Sequence, residues 1–417
     1  MQGKTFTMEL AGKTLTIETG KYCEQAGGSA FVRMGDAVVM VNATVAKQPR
    51  DGVDFLPLSI EFEEKMYSVG KIPGGYIKRE GRPSEKAILC SRLIDRPLRP
   101  LFPKGFYNDI QVIATVLSMD PDVQPEILGM IGSSAALAMS EAPFAGPTGA
   151  VAVGMVDGKY IINPTLEERH KSKLNLTVAG TKDAVMMVEA GANELSEKEM
   201  LDAILTAHEE VKKIVAFIEG IAAECGKPKM EVNIYHPDEA FTELVREYAR
   251  DKVEWQLDTF ERKVREERSE QVKQEVIEHF AEEYPDSASD IDMILYNLTK
   301  EIVRDKIINR KIRPDGRAQD EIRPEVGILP RVHGSGVFTR GQTQVMTIAT
   351  LAPLSEGQEL DGIDDVTFKR YMHQYNMPPY SVGEVRRVGS PGRREIGHGA
   401  LAPPRRNSPM PCAWSPR

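Results

Sequence analysis

The sequence predicts an α/β (α+β) chain made of two copies of one domain, the second incomplete, joined by an all-helical linker. Three observations point to this. Residues 1–230 interleave strand-like alternation with helical stripes, and residues 236–310 lose the strand pattern. After residue 311 the alternation returns, in segments that repeat the start of the chain.

The elements follow in order. Residues 5–10 and 13–18 alternate about Ala11-Gly12, a hairpin signature. Further strands are expected over 37–46, 54–62, 109–118, 150–156, 159–163 and 174–179. Pro83-Ser84-Glu85 opens a helix that carries Ile88, Leu89, Arg92 and Leu93 and stops at Pro97. Pro125-Glu126 opens a small apolar helix through Ala138, and Met186-Met187 reads as core. A long helix over about 196–224 sets Met200, Ile204, Val211, Ile214, Val215 and Ile218 on one stripe.

The linker keeps helical spacing at Phe241, Leu244, Val245 and Tyr248, at Val272, Val276 and Phe280, and at Ile294, Leu295, Leu298, Ile302 and Val303. Its charge runs, such as Arg265-Glu266-Glu267-Arg268, read as solvated helix faces. Beyond Arg313-Pro314-Asp315-Gly316-Arg317 the repeat begins. Gly28 to Gly35 matches Gly334 to Gly341, and Tyr67-Ser68-Val69-Gly70 recurs as Tyr380-Ser381-Val382-Gly383. This second copy spans 311–402 and is expected to end before its fold can close. Residues 403–417, rich in proline and arginine, show no periodicity and read as an aberrant tail, from a truncation or an altered reading frame.

The 417 residues are 41% hydrophobic and 28% charged, enough for real cores. A net charge of −9 excludes a uniformly basic nucleic-acid coat but not a local basic channel. No apolar run approaches a membrane span, so no membrane partner is expected. The start lacks the apolar core of a secretory signal, and Cys23, Cys90, Cys225 and Cys412 are far apart. A reduced, cytoplasmic protein without a disulfide framework or zinc knuckle is therefore expected.

Two constellations carry candidate chemistry. In Lys71 to Pro83, Tyr76 stands among Lys78, Arg79 and Arg82 in a loop built by glycine and proline. A base can stack on the ring while the cations hold phosphates; a solvated loop with a half-buried tyrosine is the plainer alternative. Just beyond it, Arg92 and Arg96 share a helix face and can reach one anion, or else bridge Glu85 or Asp95. In Ser390 to Gly399, Arg393, Arg394 and His398 sit in what reads as a glycine-rich turn, able to approach a phosphodiester. A structural histidine is the alternative there. Asp361, Asp364 and Asp365 read as a solvated acidic turn rather than metal ligands.

Lys71 to Glu85, Arg313 to Arg317 and Arg393 to Ala402, on a duplicated frame with a helical insert, resemble the bacterial polyribonucleotide nucleotidyltransferase family from residue 1 to about 402. The resemblance implies two ribonuclease-PH-like domains, assembled as a homotrimeric ring around single-stranded RNA. It implies Mg²⁺-dependent attack of inorganic phosphate on the 3′-terminal phosphodiester, releasing nucleoside diphosphates, reversible to polymerisation and serving mRNA decay in an RNA-degradation complex. Tyr76, Ile77, Lys78 and Arg79 fall on the family's RNA-gripping constriction, with one aromatic and one lysine where the family has two aromatics and two arginines. Arg82, Arg92 and Arg96 join them as RNA-binding candidates. Arg393, Arg394 and His398 fall on second-domain catalytic positions, as part of one site.

The family's metal carboxylates and a lysine precede a strand ending Val-Ala-Gly-Thr. In the first copy that ending is Val178 to Thr181, but Asn175 and Thr177 stand before it. The first domain is thus expected to guide RNA without catalysis, and no metal ligand is assigned, the family's ligands falling beyond the end of the chain. The resemblance predicts an exoribonuclease family; the alternative for this chain is a catalytically dead RNA-binding or assembly fragment.

Overall fold

The structure, a computed structural model, describes residues 3–50, 53, 55–232, 237–316, 322–341 and 343–402. Arg317 and the tail at 403–417 lie outside the described residues. The chain divides into two compact units, Met1–Ile234 with Glu356–Arg417, and Tyr235–Ser355.

The first unit begins with β1 (Lys4–Leu10), β2 (Lys13–Thr19), β3 (Gly28–Met34), β4 (Ala37–Pro49) and β5 (Leu58–Glu64). There follow α1 (Glu85–Leu98), β6 (Asn108–Ser118), α2 (Pro125–Met139), β7 (Gly149–Val156), β8 (Lys159–Ile162), α3 (Leu166–Lys171), β9 (Leu174–Gly180), β10 (Val185–Ala192) and α4 (Glu197–Cys225). The β1–β2 turn is tight because Ala11 and Gly12 both take positive φ, at 51° and 75°.

One sheet runs β1-β2-β3-β4-β6-β5 and a second β10-β9-β7-β8. Every pairing in them is antiparallel except β5 with β6, which α1 connects as a crossover. The amide of Phe62 on β5 donates to Ser91 Oγ (3.0 Å), pinning α1 to its strand. Of the residues of α2 all but Glu126 are buried, because the helix packs against β3, β4, β6, β7 and α4 at once. The elements missing from the sequence reading are β3, α3 and β10. Met187 on β10 is core, as its apolarity implied, but the strand itself lacks clean alternation.

The second unit opens with three helices, α5 (Glu239–Gln256), α6 (Arg262–Phe280) and α7 (Ala288–Arg310), around Phe241, Val245, Val276, Phe280, Ile294 and Leu298. Its charge runs are only partly solvated. Arg265 donates to Pro314 O (2.9 Å), and Arg268 lies 4.6 Å over the Trp255 ring. A three-stranded antiparallel sheet completes the unit: β11 (Arg323–Val326), β12 (Gly334–Arg340) and β13 (Thr343–Ala349).

The repeat is visible as structure. Hairpins β3–β4 and β12–β13 both turn on a positive-φ glycine, Gly35 (58°) and Gly341 (62°). Each Tyr-Ser-Val-Gly motif forms a 3-10 turn closed by a left-handed glycine, Gly70 or Gly383.

The stretch 311–402 is divided between the two compact units. Its strands β11, β12 and β13 fall in the second unit, where β13 is exposed along its whole length. The remainder packs with the first unit: β14 (Gln358–Glu359), β15 (Phe368–Lys369), and α8 (Arg393–Leu401) against α1. Ile363 enters the first unit's core at 5% exposure, whereas Val345, Met346 and Ile348 are exposed.

Candidate nucleic-acid interface

Ser84 caps α1, accepting from the Ala87 amide (2.9 Å) and donating to Glu64 Oε2 (2.5 Å). The loop of residues 71–83 before it is held at its base. The Met66 amide donates to Glu80 Oε1 (3.2 Å); this and a bond from the Glu80 amide itself hold that carboxyl below the usual range. Lys71 donates to Gly362 O (3.3 Å). Between these anchors Tyr76 is fully exposed, Ile77 is exposed, and Lys78 takes a positive φ of 50°. Lys78, Arg79 and Arg82 are exposed, and among the described residues none of them has an ion-pair partner. The half-buried tyrosine is excluded. What stands out from the surface is an aromatic ring among three exposed cations.

The arginines of α1 divide. Arg96 donates to Glu189 Oε2 on β10 (2.7 Å) and Val188 O (3.4 Å), and Arg99 binds Asp95 and the carbonyls of Leu56 and Leu58. The shared anion site of Arg92 and Arg96 therefore does not form. Glu189, 93 residues away in sequence, neutralises Arg96, which no local spacing reveals. Arg92 is exposed and, among the described residues, makes no ion pair.

The turn expected at Ser390 to Gly399 is instead a helix from Arg393. Glu395 Oε2 accepts from the Gly392 amide (2.8 Å) and satisfies the free N-terminus of α8. Arg393 donates to Ile60 O (3.3 Å) and ion-pairs with Glu61, fastening α8 to β5. Arg394 is exposed, without an ion pair among the described residues. One turn further on, His398 stacks on Tyr375, ring centroids 4.4 Å apart. A Cβ on Gly397 would stand 2.8 Å from Arg92 Cδ, so α1 and α8 meet closely there. Of the candidates, this brings Arg92, Arg394 and His398 to one helix crossing and commits Arg393 to a strand.

In the acidic segment Asp361 and Asp365 are exposed, as a solvated turn would have them, and Asp364 is partly covered. Lys86 Nζ lies 2.5 Å from Asp364 Oδ1, and His170 Nε2 3.1 Å from Asp365 Oδ2. Burial opposes the charge on Lys86, but Glu126 and Asp364 outweigh it and hold the ammonium above its ordinary value. Burial raises the neighbouring Glu64 carboxyl, whose Oε1 has no hydrogen bond. These partners were invisible in sequence because they lie hundreds of residues apart.

Asn175 and Thr177 lie on β9, the first exposed and the second buried. Neither supplies a carboxylate, and among the described residues no group of three or more His, Cys, Asp or Glu is placed to hold a metal. No described helix is long and apolar enough to cross a membrane.

A family model described as the 3′ exoribonuclease family, domain 1, matches residues 11–143 and 320–402, about half of the chain. Domain 2 of the same family matches 146–210, and the RNA-binding domain of polyribonucleotide nucleotidyltransferase matches 240–318. The chain is 58% identical over 405 residues to a polyribonucleotide nucleotidyltransferase of Clostridioides difficile, covering 96% of this chain and 58% of that one. It is 57% identical over 402 residues to one of Heliobacterium modesticaldum, covering 96% and 57%. It thus spans under two thirds of the length of these relatives. With helices, sheets and repeat arranged as described, and both domains matched, the chain belongs to the 3′ exoribonuclease family.

Proposed function

We propose that this chain is the RNA-guiding part of a phosphorolytic 3′-to-5′ exoribonuclease, gripping single-stranded RNA through Tyr76, Lys78, Arg79 and Arg82, with Arg92 and Arg394 beyond. The observation that carries this reading is the loop itself: a fully exposed ring among exposed cations that form no ion pair among the described residues, held at its base by Glu80 and Lys71. In the reaction, an oxygen of inorganic phosphate bonds to the phosphorus of the terminal nucleotide. The bond from that phosphorus to the penultimate 3′ oxygen breaks, the 3′ oxygen takes up a proton, and a nucleoside diphosphate leaves. A phosphoanhydride replaces the phosphodiester, so little of the bond energy is lost and the reaction can also run backwards as polymerisation.

Arg92 and Arg394 supply fixed positive charge for phosphoryl oxygens, and His398, stacked on Tyr375, offers a ring nitrogen for a hydrogen bond on the same helix. Mg²⁺, a homotrimeric ring, a cytoplasmic role in mRNA decay and a place in an RNA-degradation complex belong to the same proposal. The resemblance supports each.

Asn175 and Thr177 favour a second reading, in which the described residues bind RNA without cutting it. Purified chain with polyadenylate, phosphate and Mg²⁺ tests both. Binding without diphosphate release supports the second reading; turnover comparable to an intact relative overturns it. Binding that is unaltered, in affinity and salt slope, by Ala at 78, 79 and 82 overturns the loop assignment.

A further inference from the structure

A cavity of about 250 Å³ opens where the 358–376 segment meets α8 and the start of α1. Gln358, Lys369, His373, Gln374, Tyr375 and Asn376 line it, with Glu85 and Glu395 at its charged wall. Its construction is tight on one side: a Cβ on Gly399 would stand 2.7 Å from His373 O and 3.1 Å from the Tyr375 amide. Only glycine lets the strand-like segment lie this close to α8.

The charges of the cavity are already matched. Both oxygens of Glu85 accept from Lys369 Nζ, at 2.7 and 3.1 Å. Glu395 accepts from the Met377 and Gly392 amides, at 2.9 and 2.8 Å, which holds its carboxyl low. A phosphate would have to displace Glu85 from the lysine. What remains unmatched is neutral. Among the described residues the side-chain amides of Gln358, Gln374 and Asn376 make no hydrogen bond. Tyr375, stiffened by its stack on His398, adds an aromatic wall, and Met372, Pro391 and Ile396 add apolar contact.

Carboxamides present a donor and an acceptor side by side, which is the pattern on the edge of a nucleobase. The volume lies just below the roughly 300–1,000 Å³ of sites for larger ligands and suits one nucleoside. We propose that this cavity binds the heterocyclic base of a single ribonucleoside unit by edge hydrogen bonds and stacking. The proposal takes its ligand class from the RNA reading above, yet it needs none of the cations in the 76–82 loop.

The test uses the full chain, labelled on its methionine methyls, titrated with adenosine, uridine and ribose 5-phosphate. Either nucleoside is expected to shift the Met372 methyl, with an affinity insensitive to salt. Asn376→Ala and the near-isosteric Gln374→Glu are expected to weaken binding about threefold to tenfold, as for one neutral hydrogen bond. A Met372 methyl that does not move with either nucleoside overturns the cavity, even if RNA still binds through the loop. Displacement of the nucleoside by equimolar ribose 5-phosphate also overturns it, because recognition then rests on sugar and phosphate. Nucleoside binding that persists when the 78, 79 and 82 alanine variant leaves RNA affinity unchanged supports the cavity and removes the loop reading.

Discussion

Arg92 and Arg96 are one helical turn apart, yet the structure gives them opposite tasks. Arg96 is neutralised by Glu189, so Arg96→Ala should leave the salt dependence of RNA binding unchanged and cost stability by about 0.5–1 kcal/mol, as an exposed ion pair does. Arg92→Ala should lower the slope of log affinity against log salt by about 0.7, the loss of one phosphate contact on a single strand. Filter binding over a salt series separates the two; equal slopes for both variants would contradict the assignment. Glu64 offers a pH signature. Burial raises its folded carboxyl above the unfolded value, so its stabilising contribution is present at low pH and lost as pH rises through the folded value. Glu64→Gln is expected to flatten the fall in stability from the ordinary glutamate range upward, measured by urea melts at stepped pH. An unchanged profile would place the proton elsewhere.

Among the elements, the two copies of one hairpin allow a matched comparison. A Cβ on Gly28 of β3 would stand 2.0 Å from Ala136 O of α2, whereas one on Gly334 of β12 would meet only the Ala349 Cβ at 3.5 Å. Gly28→Ala should therefore destabilise by roughly 3 kcal/mol or more, through backbone displacement in the core. Gly334→Ala should fall within about 0.5 kcal/mol. Thermal melts of both variants decide, and similar losses would mean that β12 is covered after all. The Lys86–Asp364 pair makes a second test. Asp364→Asn leaves the partly buried Lys86 ammonium facing Glu126 and Glu64 without its ion pair, and should loosen the segment 356–402 by about 1–3 kcal/mol. Faster amide exchange in α8, with α2 unaffected, is the expected reading; uniform acceleration would show global unfolding instead.

For the whole molecule, local sequence patterns reached far because most elements owe their form to local periodicity. The β1–β2 hairpin, α1, α2 and α4 lie within a few residues of their expected bounds, and the three linker helices contain the apolar positions singled out at helical spacing, since apolar spacing and start signals such as Ser84-Glu85 act over one or two turns. The loop around Tyr76 was legible for the same reason, because glycines and prolines forbid regular structure there, but the full exposure of the ring was not. Self-similarity likewise exposed the duplication, which the paired glycine turns at 35 and 341 reproduce. What the sequence left open depends on contacts across long separations. Whether Arg393 is free or fastened to Glu61, whether Arg96 is neutral, and whether Asp364 is solvated or paired with Lys86 all turn on partners 93 to 332 residues away. Helix α8 read as a turn because its glycines argue against a helix in isolation, and only the close approach of α1 at Gly397 and of His373 at Gly399 makes them favourable. The sequence by itself determined the elements, their repetition and the charge of the loop. Tertiary structure alone decided which cations remain available to a ligand, because neutralising a charge requires a partner brought there by burial of the core.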